Sequence, residues 1–124
     1  MATILIVDDS ALSRRILRSI LESGGHAVLE AANGLAGLEH YVLHRPDLVL
    51  LDLLMQEMPG LEVLAKLREV DPRGRVIVAT ADIQDSTRAL VLEAGACGFV
   101  TKPLESGTLL AAVQEALAAP VDKP

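Results

Sequence analysis

The chain has 124 residues, of which 51% are hydrophobic and only 2% aromatic, and this fits one domain with a core of Leu, Val, Ile and Ala. Its 17 acidic and 11 basic residues give a net charge of −6, which argues against DNA binding because that requires clustered Lys and Arg. The lone Cys97, which we expect to be a small buried residue, excludes an internal disulfide, and no apolar run is long enough to span a membrane.

A strand and an amphipathic helix are predicted at the start of the chain. Residues 3–7 form a β-branched apolar run that ends at two acidic residues, and because no basic segment comes before this run we expect no secretion signal. Ser10 or Asp9 can cap the helix that follows, and Gly24 terminates the helical pattern. The apolar residues that recur at helical spacing are Leu12, Ile16, Leu17, Ile20 and Leu21.

The next segments predict a second strand and helix, and then a strand that is buried on both faces. Residues 27–31 form the strand, and Asn33 caps a helix that closes before Pro46. This helix carries Leu35, Leu38, Val42 and Leu43. Residues 46–52 are an aliphatic run bounded by Pro and Asp, which is typical of a central strand in a parallel sheet. Asp52 would then lie at the carboxyl end of this strand, where open α/β sheets bind their ligands.

The second half of the chain continues the alternation of strands and helices. After a loop, Gly60 leads into a helix. Its apolar residues are Leu61, Leu64 and Leu67. Strands are predicted over residues 75–79 and 97–101, and helices over residues 85–94 and 105–118. Five strands that alternate with five helices predict an α/β doubly wound fold, with one parallel sheet, right-handed crossovers and helices on both faces.

Polar side chains follow four of the five predicted strands. They are Asp8, Asp9, Asp52, Thr80 and Lys102. Three carboxylates at one sheet edge would resist ionisation unless a cation joined them, and oxygen ligands favour a hard cation such as Mg²⁺. A metal site alone would not need the hydroxyl of Thr80 or the ammonium of Lys102. Both groups suit a phosphoryl group, whose oxygens need hydrogen-bond donors and a positively charged partner.

The whole chain resembles a response regulator receiver domain of two-component signalling. The matching motifs occur in the family's order and spacing, and they are Asp8-Asp9, Asp52, Thr80-Ala81, Gly95-Ala96, Phe99 and Lys102-Pro103. The resemblance implies a single receiver domain over residues 1–124, similar to the single-domain chemotaxis regulators. It also implies a flavodoxin-like (βα)5 fold, in which a five-stranded parallel sheet has the strand order 2-1-3-4-5.

The same resemblance implies the chemistry of the site. Asp52 would accept a phosphoryl group from a histidine kinase, and Asp9 and Asp52 would bind Mg²⁺, with Asp8 as a ligand through water and the Leu54 carbonyl as a further ligand. Thr80 and Lys102 would each contact a phosphoryl oxygen. The Lys102-Pro103 peptide is expected to be cis.

A switch and its partners also follow from the resemblance. Thr80 and Phe99 would couple phosphorylation to the surface formed by the fourth helix, the fifth strand and the fifth helix. A histidine kinase or a histidine phosphotransfer protein would supply the phosphoryl group, and a downstream protein target would read the switch by direct contact or by phosphorelay. The protein would be cytoplasmic, bind neither DNA nor membranes, and catalyse only its own phosphoryl transfer and dephosphorylation.

The loop after Asp52 departs from the usual family pattern at one place. The family has Met-Pro three and four places after the acceptor, whereas this chain has Met55-Gln56, so we expect a loop of different shape.

The residues expected to flank the path of an attacking water are Leu54 and Asp82. Leu54 cannot orient water by hydrogen bonding and its bulk shields the phosphoryl group, so a long-lived phosphoryl-aspartate is predicted.

Two other classes of function are weighed against the signalling switch. A Mg²⁺-dependent phosphohydrolase with Asp52 as its nucleophile would carry a second Asp two places later, and that position is Leu54. An interaction module that works without phosphorylation would be expected to lack an acidic residue, Thr80 or Lys102, and this chain has them all. Both alternatives therefore fit the sequence less well than a phosphorylated switch.

Overall fold

Five strands alternate with five helices in a computed structural model that describes residues 1–81 and 84–119. The strands are β1 (Thr3–Val7), β2 (Ala27–Ala31), β3 (Leu48–Leu51), β4 (Val76–Thr80) and β5 (Gly98–Thr101). The helices are α1 (Ala11–Ser23), α2 (Gly34–His44), α3 (Gly60–Val70), α4 (Asp85–Glu93) and α5 (Ser106–Ala118). All strands are parallel in the order β2-β1-β3-β4-β5, so the predicted fold and strand order are confirmed.

The sheet is buried on both faces because alternate residues of each central strand enter two separate apolar cores. Val49 and Leu51 of β3 point into the core that α2, α3 and α4 cover. Leu48 and Leu50 point into the core that α1 and α5 cover. All four residues of β3 are buried, as the aliphatic run predicted, and this burial holds rigid the strand that ends at Asp52.

The predicted helix caps are present at the first two helices. The Ser10 hydroxyl accepts a hydrogen bond from the Ser13 N–H at 3.1 Å, so Ser10 and not Asp9 caps α1 through its side chain. Asn33 caps α2 by accepting a hydrogen bond from the Ala36 N–H at 2.8 Å. Because Ser10 caps the helix, the carboxylate of Asp9 remains available to the site.

The buried face of α2 differs from the one that its leucines suggest. Its fully buried residues are Gly34, Gly37 and Tyr41, whereas several apolar residues lie exposed. The exposed ones are Leu35, Val42 and Leu43. A Cβ atom added at Gly37 would lie 2.8 Å from a methyl group of Val7, so the helix backbone itself packs against β1. The absence of side chains at the glycines allows this close approach, and of the predicted apolar residues only Leu38 packs, partly buried, against the core.

Cys97 lies exposed, so the prediction that it is buried was wrong. Its N–H donates to the Val76 carbonyl at 2.8 Å, which places it at the amino edge of the sheet, just before β5 begins. A residue in this turn lies outside the layers of helices that bury the strand residues. None of the helices in the described ranges is long and apolar enough to cross a bilayer.

Candidate functional site

Three carboxylates from two neighbouring strands meet at the carboxyl edge of the sheet. Asp8 and Asp9 follow β1, and Asp52 follows β3, which pairs with β1. One carboxylate oxygen from each residue lies within 4.8 Å of the other two. Asp8 and Asp52 are only 1% and 7% exposed, whereas Asp9 is open to solvent. Such close carboxylates repel one another, so the cluster has a strong demand for positive charge.

Lys102 supplies part of the positive charge that the carboxylates require. Its Nζ donates to Asp8 Oδ2 at 2.7 Å and to Asp52 Oδ2 at 3.2 Å. Its backbone N–H donates to the Thr80 carbonyl at 2.8 Å, which extends the pairing of β4 with β5 and fixes where the lysine stem begins. The Lys102-Pro103 peptide is cis, as the resemblance implies. One ammonium facing three carboxylates leaves an excess of negative charge that a metal ion can neutralise.

Each carboxylate of the cluster also accepts a hydrogen bond from the backbone. The Ser10 N–H donates to Asp8 Oδ1 at 2.9 Å, and the Leu54 N–H donates to Asp52 Oδ1 at 3.1 Å. Both bonds join residues two apart and orient the carboxylates locally. The Gln56 N–H donates to Asp9 Oδ2 at 3.2 Å and connects the loops after β1 and β3.

The bond from Gln56 is a consequence of the departure from Met-Pro. A proline at this position has no N–H and could not donate to Asp9. The sequence signalled a loop of different shape but not this contact, because a link between residues 47 positions apart depends on the fold.

Gly60 supports the strand end that carries Asp52. A Cβ atom added there would lie 2.5 Å from the Asp52 carbonyl oxygen and 2.5 Å from the Leu53 Cα. The Gly60 N–H also donates to the Leu53 carbonyl at 3.1 Å. The first turn of α3 therefore rests directly on the backbone of the candidate acceptor, and only glycine permits this contact.

A cluster of two arginines and one glutamate behind Asp8 was not found from the sequence. Arg14 Nη1 donates to the Asp8 carbonyl at 2.7 Å, and its Nε donates to Glu30 Oε1 at 3.1 Å. Arg18 also donates to Glu30, and this hydrogen bond is the main reason that the pKa of Glu30 is lowered. The cluster ties α1 to β2 and holds the backbone at Asp8.

Thr80 lies on β4, which pairs with β3, and Phe99 lies on β5, the next strand of the sheet. Thr80 is the last residue of β4 and fully buried, while the sequence had placed it just after the strand. Phe99 pairs with Val78, is half-buried and packs against the core under α3 and α4. The guanidinium carbon of Arg88 lies 5.6 Å from the centre of the Phe99 ring, so α4 contacts the ring from outside.

Leu54 lies next to the acceptor with 57% of its surface exposed. Asp82, the second residue expected to flank the water path, lies outside the described residues. The geometry thus brings together the predicted carboxylates and Lys102, and it places an exposed aliphatic side chain beside them.

The donor set of this edge fits a hard divalent cation. All three acidic residues offer oxygen atoms, and two of these acids are buried where an uncompensated charge is costly. Lys102 is held against Asp52 and can also pair with the oxygens of a group attached to Asp52. An arrangement of this kind can bind Mg²⁺ and stabilise a transferred phosphoryl group.

Comparison with known proteins agrees with this geometry. The family model described as the response regulator receiver domain matches residues 4–114 of the chain. The chain belongs to this receiver domain family. The receiver domain is 38% identical over 115 residues to the chemotaxis protein CheY of Bacillus subtilis, and this match covers 92% of the chain and 96% of that protein. Phosphorylation-based signalling in two-component systems is therefore its general role.

Solved structures resemble the receiver domain over nearly its whole length. A CheY-like receiver domain protein from Methanospirillum hungatei has a TM-score of 0.88 and 31% identity, and the match covers 94% of each chain. CheY in the CheX-CheY-BeF3-Mg²⁺ complex of Borrelia burgdorferi has a TM-score of 0.91 and 32% identity, with 94% of this chain and 90% of that chain covered. The receiver domain therefore shares the CheY fold.

Proposed function

We propose that Asp52 accepts a phosphoryl group from the phosphohistidine of a histidine kinase or a histidine phosphotransfer protein. An Asp52 carboxylate oxygen attacks the phosphorus, a P–O bond forms, and the P–N bond to the histidine breaks with its electron pair leaving on the imidazole. Lys102 supports the transfer because its ammonium already contacts Asp52 Oδ2 and can pair with a phosphoryl oxygen. The observation that carries the proposal is the contact of one lysine with both buried carboxylates.

The acidic cluster would hold Mg²⁺ during this transfer. Asp9 and Asp52 are the proposed direct ligands, with Asp8 acting through a water and the Leu54 carbonyl as a further ligand. A bound Mg²⁺ neutralises the charge on the phosphoryl oxygens. The similar CheY of Borrelia burgdorferi has been solved in a complex with CheX, BeF3 and Mg²⁺, which supports this cofactor for the present chain.

A phosphohydrolase acting on a separate substrate is disfavoured by the residue two places after Asp52. Leu54 has no proton to donate or accept, so it cannot serve as the general acid and base that such an enzyme needs. The protein would therefore catalyse only the gain and loss of its own phosphoryl group, in keeping with a signalling protein.

Incubation with acetyl phosphate and Mg²⁺ tests the phosphoacceptor directly. We expect one phosphoryl group per chain, released by hydroxylamine as an acyl phosphate is, and detected by intact-protein mass spectrometry. Asp52→Asn is the matched control because it keeps the side-chain size and should not be labelled. Labelling of Asp52→Asn to the parental level, or no labelling of the parent with a competent donor, would refute the assignment.

The switch would couple Thr80 to Phe99. If a phosphoryl oxygen draws the Thr80 hydroxyl towards Asp52, space opens behind it and the half-buried ring of Phe99 can turn inward. Arg88 lies over this ring, so α4 would respond to the change. The altered surface of α4, β5 and α5 would then bind a downstream protein target, by direct contact or in a phosphorelay, in the cytoplasm.

Phe99→Ala tests this coupling without knowledge of the target. We expect phosphorylation to shift the backbone amide resonances of α4 and β5 in the parent and to shift them much less in the variant, because the ring that transmits the change is gone. Val70→Ala, at an exposed position of α3, is the control and should respond as the parent does. Equal shifts in Phe99→Ala and the parent would contradict the coupling.

A further inference from the structure

The amino edge of the sheet, opposite the carboxylates, contains a basic cavity. It has a volume of about 250 Å³ and lies where α3, α4 and α5 approach the start of β4. Three arginines line it, and they are Arg68, Arg73 and Arg75. The rest of the wall is apolar or backbone, with Leu92, Ala96 and Ala116 among its residues. No carboxylate belongs to this wall in the part of the chain that the structure describes.

Backbone carbonyls, and not acidic side chains, hold two of the three arginines. Arg68 Nη1 donates to the Gly74 carbonyl at 3.2 Å, and Arg75 Nη2 donates to the Ala119 carbonyl at 2.9 Å. A Cβ atom added at Gly95 would lie 2.6 Å from Arg68 Nε, so the absence of a side chain there leaves room for this guanidinium. Each bond uses one of the five N–H donors of its guanidinium group, and no hydrogen bond among the described residues occupies the other four.

The three arginines of the cavity form no ion pair within residues 1–81 and 84–119, although the Arg68 guanidinium interacts electrostatically with the Asp71 carboxylate. Partial desolvation raises the pKa of the Cys97 thiol, whereas the charges of Arg75 and Arg68 lower it. Both guanidinium groups therefore lie close enough to Cys97 to affect its thiol. Three converging cations in a chain of net charge −6 form a local field opposite in sign to the whole molecule.

We propose that this cavity binds a diphosphate group. Guanidinium groups match phosphate oxygens in bidentate geometry, and three of them suit a group with several negative charges better than a single carboxylate. The cavity is smaller than most sites for drug-sized molecules, which limits the ligand to a small anion or to the anionic end of a larger one. The diphosphate group could be free pyrophosphate or part of a nucleoside diphosphate, whose apolar portion would extend along Leu92.

The proposed site is separate from the phosphoacceptor. Arg75 directly precedes β4, whereas Thr80 ends the same strand beside Asp52. The length of the strand places the two sites roughly 16 Å apart. Diphosphate binding therefore goes beyond the proposed phosphoryl transfer, and Asp52→Asn should leave it unchanged.

Titration of the full chain with pyrophosphate and, separately, with adenosine diphosphate tests the proposal by NMR. Without Mg²⁺, we expect saturable shifts of the Gly74, Gly95 and Cys97 amides, in the parent and in Asp52→Asn alike. Tighter binding of the nucleotide would identify a nucleoside diphosphate as the ligand, and equal binding would identify free diphosphate. Shifts confined to residues around Lys102, or no saturation with either anion, would overturn the proposal.

Arg73→Gln is the most direct variant because the Arg73 side chain is exposed and makes no hydrogen bond among the described residues. We expect it to weaken pyrophosphate binding about tenfold, the effect of losing one charge-assisted contact. Arg15→Gln changes the net charge equally on the exposed surface of α1 and should bind as the parent does. Equal weakening in both variants would indicate attraction by net charge alone and would refute a built site.

The thiol of Cys97 gives a second readout that needs no binding constant. The cavity should accelerate its reaction with the anionic reagent dithiobis(nitrobenzoate) relative to the neutral reagent dithiodipyridine. Pyrophosphate should protect the thiol from both reagents, and Arg73→Gln should reduce the preference for the anionic one. An unchanged preference in Arg73→Gln, together with no protection, would contradict the proposed site.

Discussion

Leu54 is the side chain that we predict to control the approach of water to the candidate phosphoacceptor. It lies two residues after Asp52, is 57% exposed, and offers no side-chain atom that could orient a water molecule. An amide at this position could hydrogen-bond an attacking water, whereas the isobutyl group can only cover the approach. The side chain at this one position should therefore affect the lifetime of the phosphorylated state.

Leu54→Asn should hasten the loss of the phosphoryl group by roughly tenfold, which corresponds to about 1.4 kcal/mol of activation free energy. The measurement is the first-order decay of phosphorylated protein in excess Mg²⁺ after the phosphodonor is removed. Leu54→Met, which remains apolar and of similar volume, is the control and should decay as the parent does. Decay of Leu54→Asn at the parental rate would show that Leu54 does not govern water access.

Tyr41 links α2 to the end of α3 through a partly buried hydrogen bond. Its hydroxyl donates to Asp71 Oδ2 at 2.6 Å, and Asp71 caps the carboxyl end of α3. Burial raises the pKa of Tyr41 to about 12, and the bond from Tyr41 is the main reason that the pKa of Asp71 is lowered. The pair therefore contributes stability that depends on pH at both ends of the range.

Tyr41→Phe should lower the free energy of unfolding by about 1.5 kcal/mol near neutral pH, the effect of losing a hydrogen bond to a charged group. Since the folded pKa of Asp71 is depressed, this contribution is complete above its unfolded value of 3.8 and is lost as pH falls through the folded value. Since the folded pKa of Tyr41 is raised, its contribution is complete below 10.0 and is lost as pH rises through about 12. Urea unfolding at neutral and acidic pH checks this, and a difference independent of pH would contradict it.

The close contact of α3 with the acceptor strand depends on the absence of a side chain at Gly60. Gly60→Ala places a methyl group against two backbone atoms that cannot rotate away, so α3 or the strand end must shift. We expect a loss of about 2 kcal/mol in the free energy of unfolding and slower phosphorylation by acetyl phosphate.

Gly107→Ala is the matched control for Gly60. The position lies in the first turn of α5, and an added Cβ would meet only a carboxylate oxygen of Glu105 at 3.8 Å. Alanine should therefore be neutral or stabilise the helix by up to about 1 kcal/mol. If both variants have the same stability, the contact of Gly60 with the strand does not constrain the site.

The elements that sequence patterns predicted best are those whose surroundings are apolar on every side. The run that became β3 could only be a central strand, because a strand with one exposed face would need alternating polar residues. The exposed face of α2 could not be predicted in this way. Its buried surface consists of Gly34, Gly37 and Tyr41, and hydrophobic periodicity cannot identify a helix that packs through glycine.

In the candidate site, too, some features follow from the pattern of strands and others do not. Asp8, Asp9, Asp52 and Lys102 could be placed together because parallel strands bring their carboxyl ends to one edge. The bonds from Gln56 to Asp9 and from Arg14 to the Asp8 carbonyl could not be predicted. These bonds depend on loop conformation and on one side-chain rotamer, and neither leaves a periodic signal in the sequence.

For the molecule as a whole, the acidic cluster has opposite effects on the stability of the fold and on the proposed function. Asp8, Asp9 and Asp52 face one another with Lys102 as their ion-pair partner among the described residues. Their mutual repulsion should lower the stability of the metal-free fold, and the same charges would provide the proposed affinity for a divalent cation. Asp9 is the residue on which this balance can be tested, because its exposed side chain can be removed without opening a cavity.

Asp9→Ala should raise the free energy of unfolding of the metal-free protein by up to about 1 kcal/mol, the repulsion between two charges near 5 Å in a solvent-like dielectric. The parent should gain about 2.7 kcal/mol when Mg²⁺ reaches 100 times its dissociation constant, whereas the variant should gain little and should not be phosphorylated. The two proteins should therefore exchange their order of stability as Mg²⁺ is added, which thermal unfolding can follow. Glu69→Gln removes a charge from the exposed surface of α3 and should keep the parental response. If Asp9→Ala gains as much stability from Mg²⁺ as the parent does, Asp9 is not a ligand.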